Sequence, residues 1–254
     1  MVFKATNPDQ VVAILQARMS SSRLPGKVLK DICGKPMLQL QLERLGRCST
    51  FDKLVVATSE RDDDDPIASL CKSINVACFR GNLDNVLDRF FQCAKQYEAL
   101  HLVRLTGDCP LTDPSMIDQL VDFYFAQSVD YASNARPPTL PDGLDAEIFS
   151  FLALEKAWLW AETVREKEHV VPFIVDRPNE FKIANWEYSE DLSRLRWTVD
   201  EPEDFEFATA VFEALYPINP QFGFQDVMSL LAKQPKLANM NQHIERNAGS
   251  RKMS

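Results

Sequence analysis

The chain has 254 residues, is 45% hydrophobic and 26% charged, and carries a formal net charge of −9. That length suits one large α/β domain or two small ones, and the composition is that of a globular protein. The acidic balance excludes the broad basic face that nucleic acid or an anionic membrane surface requires.

No stretch approaches the ~20 apolar residues of a membrane span, and the N-terminus lacks the apolar centre of a signal peptide. A cytoplasmic protein is expected. Residues 1–10 are polar and expected to fray. Residues 11–15 are an apolar run the length of a buried strand. The chain then changes character: Arg18, Arg23, Lys27 and Lys30 fall within thirteen residues, among Ser20, Ser21, Ser22, Pro25 and Gly26. Such a cationic excess in an acidic protein points to an anionic ligand. Hydroxyls, a glycine and backbone N–H groups after a strand are the parts of a phosphate cradle, and Pro25-Gly26 sets a turn between the cations. The run is neither a P-loop nor a dinucleotide fingerprint, since both glycine patterns are missing. The bland alternative is a solvated basic loop.

Pro36 opens an apolar helix through Leu45, and residues 53–58 form a short strand. The four aspartates at 62–65 read as a solvated loop that caps a helix over 66–74. A strand follows at 76–79. Residues 82–97 place Val86, Leu87, Phe90, Phe91 and Ala94 at helical spacing. The strand at 100–105 runs into Thr106-Gly107-Asp108-Cys109-Pro110-Leu111. A helix to Gln127, a strand at 130–133, a Pro- and Gly-rich loop at 136–144 and a strand at 146–149 come next. Helices at 152–161 and 168–175, strands at 181–188 and 196–199, and helices at 203–215 and 224–233 complete the pattern.

Repeated strand–helix–strand units argue for an α/β fold with a doubly wound, mostly parallel sheet. Ligands in such sheets bind at the carboxyl ends of the strands, so residues 16–30 and 106–111 can face one crevice. One domain over 1–235 is expected, with a protruding β-containing subregion at about 130–190 and a loose tail over 236–254. The six cysteines include no C-x-x-C pair and read as small core residues. Three histidines argue against a Cys/His zinc site, and Cys109 has no histidine beside it to make it a nucleophile.

The carboxylates fall into three groups. Asp108 follows a strand and a glycine, which puts it at the crevice. Asp200 follows the strand-like RWTV, although Asp200-Glu201-Pro202 is equally a helix start; Asp204 reads as surface or cap. In PDGLDAE, Asp142, Asp145 and Glu147 are more carboxylates than turn chemistry needs.

Residues 14–29 follow the pattern I-x-Q-A-R-x-x-S-x-R-L-P-G-K-V-L. This run resembles the signature of the sugar-activating cytidylyltransferases of the 3-deoxy-manno-octulosonate and acylneuraminate type, in the branch named for spore-coat polysaccharide biosynthesis. The runs at 81–90, 104–111, 141–147 and 196–205 resemble further motifs of that family. The resemblance implies a Rossmann-like, glycosyltransferase-A-like nucleotidyltransferase fold. It also implies a reaction in which CTP and a sugar acid give CMP-sugar and pyrophosphate with Mg²⁺, for surface polysaccharide or glycan synthesis. On this basis Gln16 and Ala17 line the nucleotide, and Arg18, Arg23 and Lys27 contact the triphosphate. Asn85, Val86 and Arg89 lie near the base, and Thr106 and Gly107 complete the nucleotide wall. Asp108 and Asp200 ligate Mg²⁺, with Arg18, Lys27 and Asp108 catalytic. Asp142, Asp145, Glu147 and His169 bind the acceptor. Arg136, Arg165, Arg104 and Arg196 stay open as partners of the acceptor carboxylate. Relatives also imply a homodimer through the subregion at 130–190.

Three alternatives stand beside this. A phosphorylated or phosphonate alcohol could replace the sugar acid, against which the acidity of PDGLDAE counts. A nucleotide-sugar glycosyltransferase would want D-x-D where this chain has GDCP. A non-catalytic nucleotide binder would lack the metal carboxylates.

Overall fold

A computed structural model describes residues 10–246; the fraying expected for residues 1–9 lies outside them. The elements in chain order are β1 (Val11–Gln16), β2 (Asp31–Ile32), β3 (Lys35–Pro36), α1 (Met37–Leu45), β4 (Lys53–Ser59), α2 (Asp65–Ser73), β5 (Ala77–Gly81), α3 (Val86–Gln96) and β6 (His101–Thr106). Then come α4 (Pro114–Gln127), β7 (Tyr131–Ser133), β8 (Glu147–Ser150), α5 (Phe151–Trp160), α6 (Val164–His169), α7 (Pro172–Val175), β9 (Ile183–Asn185), α8 (Pro202–Leu215), α9 (Phe224–Lys233) and α10 (Pro235–Ala238).

The main sheet has seven strands in the order β5-β4-β1-β6-β8-β7-β9. Strands β5, β4, β1 and β6 pair in parallel, β8 is antiparallel to both of its neighbours, and β7 pairs β9 in parallel. A strand covered on both faces reads as a continuous apolar run, which is why VVAIL becomes the centre. Alternate side chains go to opposite faces. Ala13 and Leu15 join one core with α1, α4, α8 and α9, while Val12 and Ile14 join the other with α3, α5 and α7. The doubly wound, mostly parallel α/β sheet is therefore present.

The structure shows how the β-containing subregion attaches, and three further expectations need correction. The strands of the subregion, β7, β8 and β9, continue the main sheet, because the edge of β6 takes β8 through the pairs His101↔Ser150 to Arg104↔Glu147. Residues 196–199 are extended but form no strand; their backbone partner is a loop, through a single bridge Asp142↔Arg196 and the Trp197 and Thr198 N–H groups on Asp142 O. The helix expected over 168–175 is two, α6 and α7, broken at Val170 with φ 69° and restarted at Pro172. The segment 236–246 is not loose. It contains α10, and Asn241 is 1% exposed, giving its side-chain N–H to Arg196 O and Asp204 Oδ1. The rest of the expected tail, 247–254, lies outside the described residues.

No helix among the described residues is long and apolar enough to cross a membrane. Leu152, Leu159 and Trp160 on α5 and Val164 on α6 are exposed. They form an apolar surface of the kind that the expected homodimer would need to cover.

Candidate active site

The carboxyl ends of β1 and β6 lie side by side, in the register Gln16↔Thr106. Beyond them the two loops touch. Gly107 N–H donates to Gln16 O, and a Cβ on Gly107 would stand 3.0 Å from Ala17 Cβ, so a glycine and an alanine face each other where the backbones meet. The cationic loop then turns at Gly26, whose φ is 67°, and a short turn aims Lys27 back into the sheet end.

Lys27 is 7% exposed. Its ammonium donates to Val199 O at 2.7 Å and Asp200 Oδ1 at 2.8 Å, and lies 3.4 Å from Asp108 Oδ2. All three of its N–H groups are thus directed. Burial opposes its charge, but Asp108 and then Asp200 outweigh burial and hold its pKa above the ordinary lysine value. The reciprocal holds for Asp108: burial works against the carboxylate, and Lys27, Thr106 and Cys109 keep its pKa below the usual range. Arg23 reaches one of these acids and its neighbour, 3.0 Å from Asp200 Oδ2 and 3.1 Å from Glu201 Oε1. Two remote acids and the early basic loop therefore share one point. Cys109 lies 3.4 Å from Asp108 Oδ1; burial and then that carboxylate push its thiol far up, which is the opposite of an activated nucleophile.

Arg18 is exposed and, among the described residues, pairs with no carboxylate. Arg89 is 3% exposed, its Nε has no hydrogen-bond partner, and burial followed by the charge of Arg18 pushes its guanidinium down to about 10. Two guanidiniums that repel each other mark a place where an anion would be stabilised. Of the three residues expected near the base, Asn85 caps α3 by accepting from Asp88 N–H at 3.0 Å. Val86 is 5% exposed and packs into the core on this face of the sheet.

Asp64 was hidden in the run of four aspartates read as solvated. It is 2% exposed. Oδ1 accepts from Met19 N–H at 2.7 Å, and Oδ2 accepts from the Ser59 N–H at 3.1 Å and the Ser59 hydroxyl. It pins the cationic loop to the end of β4. No periodicity singles it out from Asp62, Asp63 and Asp65, so spacing could not have found it.

On the other side of the crevice each acid of PDGLDAE meets an arginine. Arg196 Nη1 donates to Asp142 Oδ2 at 2.9 Å, Arg246 pairs with Asp145, and Arg104 pairs with Glu147. Burial, then Asp145, pushes Asp142 up to about 6 against Arg246 and Arg196. Glu147 also accepts from the Tyr131 hydroxyl at 2.7 Å. Each of its oxygens accepts one bond here and has a further lone pair that a sugar hydroxyl could use. Gly143, at φ 108°, has room for no side chain, since a Cβ would lie 2.4 Å from Thr198 N. His169 is exposed at the end of α6. Partial burial, opposed by Glu168 and helped by Arg104 and Arg165, sets its pKa below the ordinary value.

The four open arginines separate. Arg196 is buried on Asp204 and Asp142, and Arg165 pairs with Asp176 away from the acids. Arg104 spans Glu147 and Gln16. Arg136 has a side chain 49% exposed and only a 3.8 Å approach to Glu147. Asp204 is neither surface nor simple cap. It is wholly buried, takes Arg196 through two bonds of 2.8 Å, and accepts from the Asp200 and Glu201 N–H groups.

Asp108 and Asp200 fit a hard divalent cation. They converge on one point, and a cationic nitrogen already stands there. Among the described residues no group of three or more metal-ligating side chains forms; Mg²⁺ can be held by one or two carboxylates plus water and phosphate oxygens.

A family model described as Cytidylyltransferase matches residues 12–232. An uncharacterised protein of Methanocaldococcus jannaschii is 36% identical over 241 residues, covering 94% of this chain and 97% of that protein. The spore coat polysaccharide biosynthesis protein SpsF of Bacillus subtilis is 29% identical over 237 residues, covering 91% and 97%. A solved cytidylyltransferase from Leptospira borgpetersenii superposes with a TM-score of 0.87 at 32% identity, covering 93% and 99%.

Proposed function

The chain belongs to the cytidylyltransferase family and is a nucleotidyltransferase, and from that premise we propose that it activates a sugar acid with CTP. The acid would be of the 3-deoxy-octulosonate or nonulosonate type, the products CMP-sugar and pyrophosphate, and the purpose a surface polysaccharide or glycan. The observation that carries this reading is the position of Lys27 between Asp108 and Asp200 at the mouth of β1 and β6.

The chemistry is a displacement. The anomeric hydroxyl oxygen of the acceptor bonds to the α-phosphorus, the bond from that phosphorus to the bridging oxygen breaks, and pyrophosphate leaves as the hydroxyl proton is lost. The protein's task is to neutralise charge and align the two oxygens. Lys27, Arg18 and Arg23 supply fixed positive charge along the triphosphate, with Gln16, Ala17, Thr106 and Gly107 forming the floor. Asp108 and Asp200 are the residues that would hold Mg²⁺. When bound, that ion supplies further neutralisation across the phosphate oxygens. Arg136, the least committed of the arginines at the crevice, takes the acceptor carboxylate. His169 and Asp145 border the sugar.

A nucleotide-sugar glycosyltransferase does not fit a chain whose family model is that of cytidylyltransferases. A phosphorylated alcohol acceptor would bring about two negative charges where a sugar acid brings one, to a loop whose three acids are each already matched by one arginine. The test is pyrophosphate release from each of the four nucleoside triphosphates, with Mg²⁺ and a panel that includes 3-deoxy-manno-octulosonate, N-acetylneuraminate and neutral hexoses. Release is expected only with CTP and an acid. Equal release with neutral sugars, or with ATP in place of CTP, would defeat the proposal.

A further inference from the structure

The family match ends at residue 232, yet the chain continues back to the crevice. Asn241, buried, bonds to Arg196 O and Asp204 Oδ1. This anchors the segment on the same Arg196–Asp204 pair that holds the backbone of Asp200. Five residues later Arg246 reaches the PDGLDAE loop. One of its nitrogens donates to Leu140 O at 3.2 Å and the other pairs with Asp145. We propose that Arg246 is a positioning and specificity residue for the acceptor: it clamps the loop over 140–147 and cancels the charge of Asp145, so that an anionic acceptor can approach. This rests on 141–147 being the acceptor loop.

The charge count supports it. Three acids within six residues would repel a carboxylate and one another. Glu147 has Arg104 and Tyr131, and Asp142 has Arg196. Among the described residues the cation paired with Asp145 is Arg246. Asn134 holds the far end of the loop through Leu144 O and the Ala146 N–H, and the charge of Asp145 between them is met by Arg246. Gly143 lies flat against Trp197 and Thr198, Asp142 is bonded on both sides of its peptide to 195–198, and beyond it the Arg246 contacts at Leu140 and Asp145 bracket the turn. Arg246 itself makes no bond to Lys27, Arg18 or Arg23 among the described residues, so its replacement leaves the side chains of the nucleotide side in place.

The experiment uses the full chain with Arg246→Ala, Arg246→Lys, and Arg246→Ala combined with Asp145→Asn. Two quantities are read: hydrogen exchange of the backbone over 140–147 without ligand, and KM for 3-deoxy-manno-octulosonate against KM for CTP. Arg246→Ala should speed exchange over 140–147 and raise the acceptor KM about tenfold, with the CTP KM within about twofold, the scatter allowed for uncoupled sites. Arg246→Lys should recover part of both, and removing the Asp145 charge should recover most of the acceptor KM. Unchanged exchange in Arg246→Ala overturns the clamp. Faster exchange with an unchanged acceptor KM, or a CTP KM that rises in step, overturns the specificity role. If the parent enzyme turns over no sugar acid, the acceptor assignment fails instead, and the exchange result alone decides whether Arg246 holds the loop.

Discussion

Replacing Lys27 with alanine is expected to lower kcat/KM for CTP by about 10²–10³-fold, the range for losing one preorganised charge partner of a transition state. The ammonium is buried, fully directed and charged throughout the ordinary pH range, because Asp108 and Asp200 hold its pKa above the free value against the pull of burial. It cannot be replaced by a mobile surface lysine. Its loss has a second consequence. Asp108 and Asp200 lose the ammonium between them, although Arg23 stays on the far oxygen of Asp200, so the Lys27→Ala protein should bind Mn²⁺ at least as well as the parent in the absence of nucleotide. Asp108→Asn should show the opposite pattern, with activity and Mn²⁺ affinity falling together. Pyrophosphate release and a Mn²⁺ titration followed by electron paramagnetic resonance separate the two. If Mn²⁺ affinity fell equally in both variants, Lys27 would be a structural pin and not a phosphate contact.

Arg196→Ala is the substitution expected to cost the most stability. Arg196 is 6% exposed and Asp204 wholly buried. Together with Asp142 and Asn241 they tie the start of α8, the acceptor loop and the returning C-terminal segment into one cluster. Removing one member of a buried pair leaves an uncompensated charge, at a cost of about 3–5 kcal/mol, and a melting temperature lower by on the order of 10 °C for a chain of this size. The pH dependence has a definite sign. Burial alone would raise the Asp204 pKa, but Arg196 and the Glu201 and Asp200 N–H groups bring it below the ordinary value. Its contribution is therefore complete above the unfolded pKa of ~3.9 and is lost as pH falls through the folded value. Without Arg196 that folded value moves upward, so acid unfolding should begin at higher pH. Thermal melts of parent and variant between pH 3 and pH 8 check this. Curves that stay parallel would show that the pair carries no linked proton.

The strand ends were legible because their causes are local. VVAIL can only be buried, and a glycine between a strand and Asp108 leaves the carboxylate at the rim. The basic run from Arg18 to Lys30 stood out against the net charge, and α9 appeared at 224–233 as its spacing required. What escaped was nonlocal. Asp64 looks like its three neighbours until the fold brings Met19 over it. Arg196 and Asp204 form a pair only because Pro202 starts a helix between them and turns one carboxylate back. The stretch at 196–199 alternates like a strand, but its backbone finds a loop for a partner. Asn241 and Arg246 sit in a polar segment with no pattern, and their roles exist only once β8 has brought PDGLDAE under them. Val86 marks the limit of a motif letter, since burial in the core accounts for an apolar residue there whether or not a base lies beside it.

The most direct measurement is a crystal structure of the full chain with CTP and Mn²⁺, with the ion located by its anomalous signal. We expect the ion on Asp108 and Asp200, the triphosphate along Lys27, Arg23 and Arg18, and the ammonium of Lys27 moved from the carboxylates onto phosphate oxygens. An ion or triphosphate bound elsewhere, with Lys27 still closed on both acids, would contradict the assignment of this crevice as the nucleotidyl-transfer site.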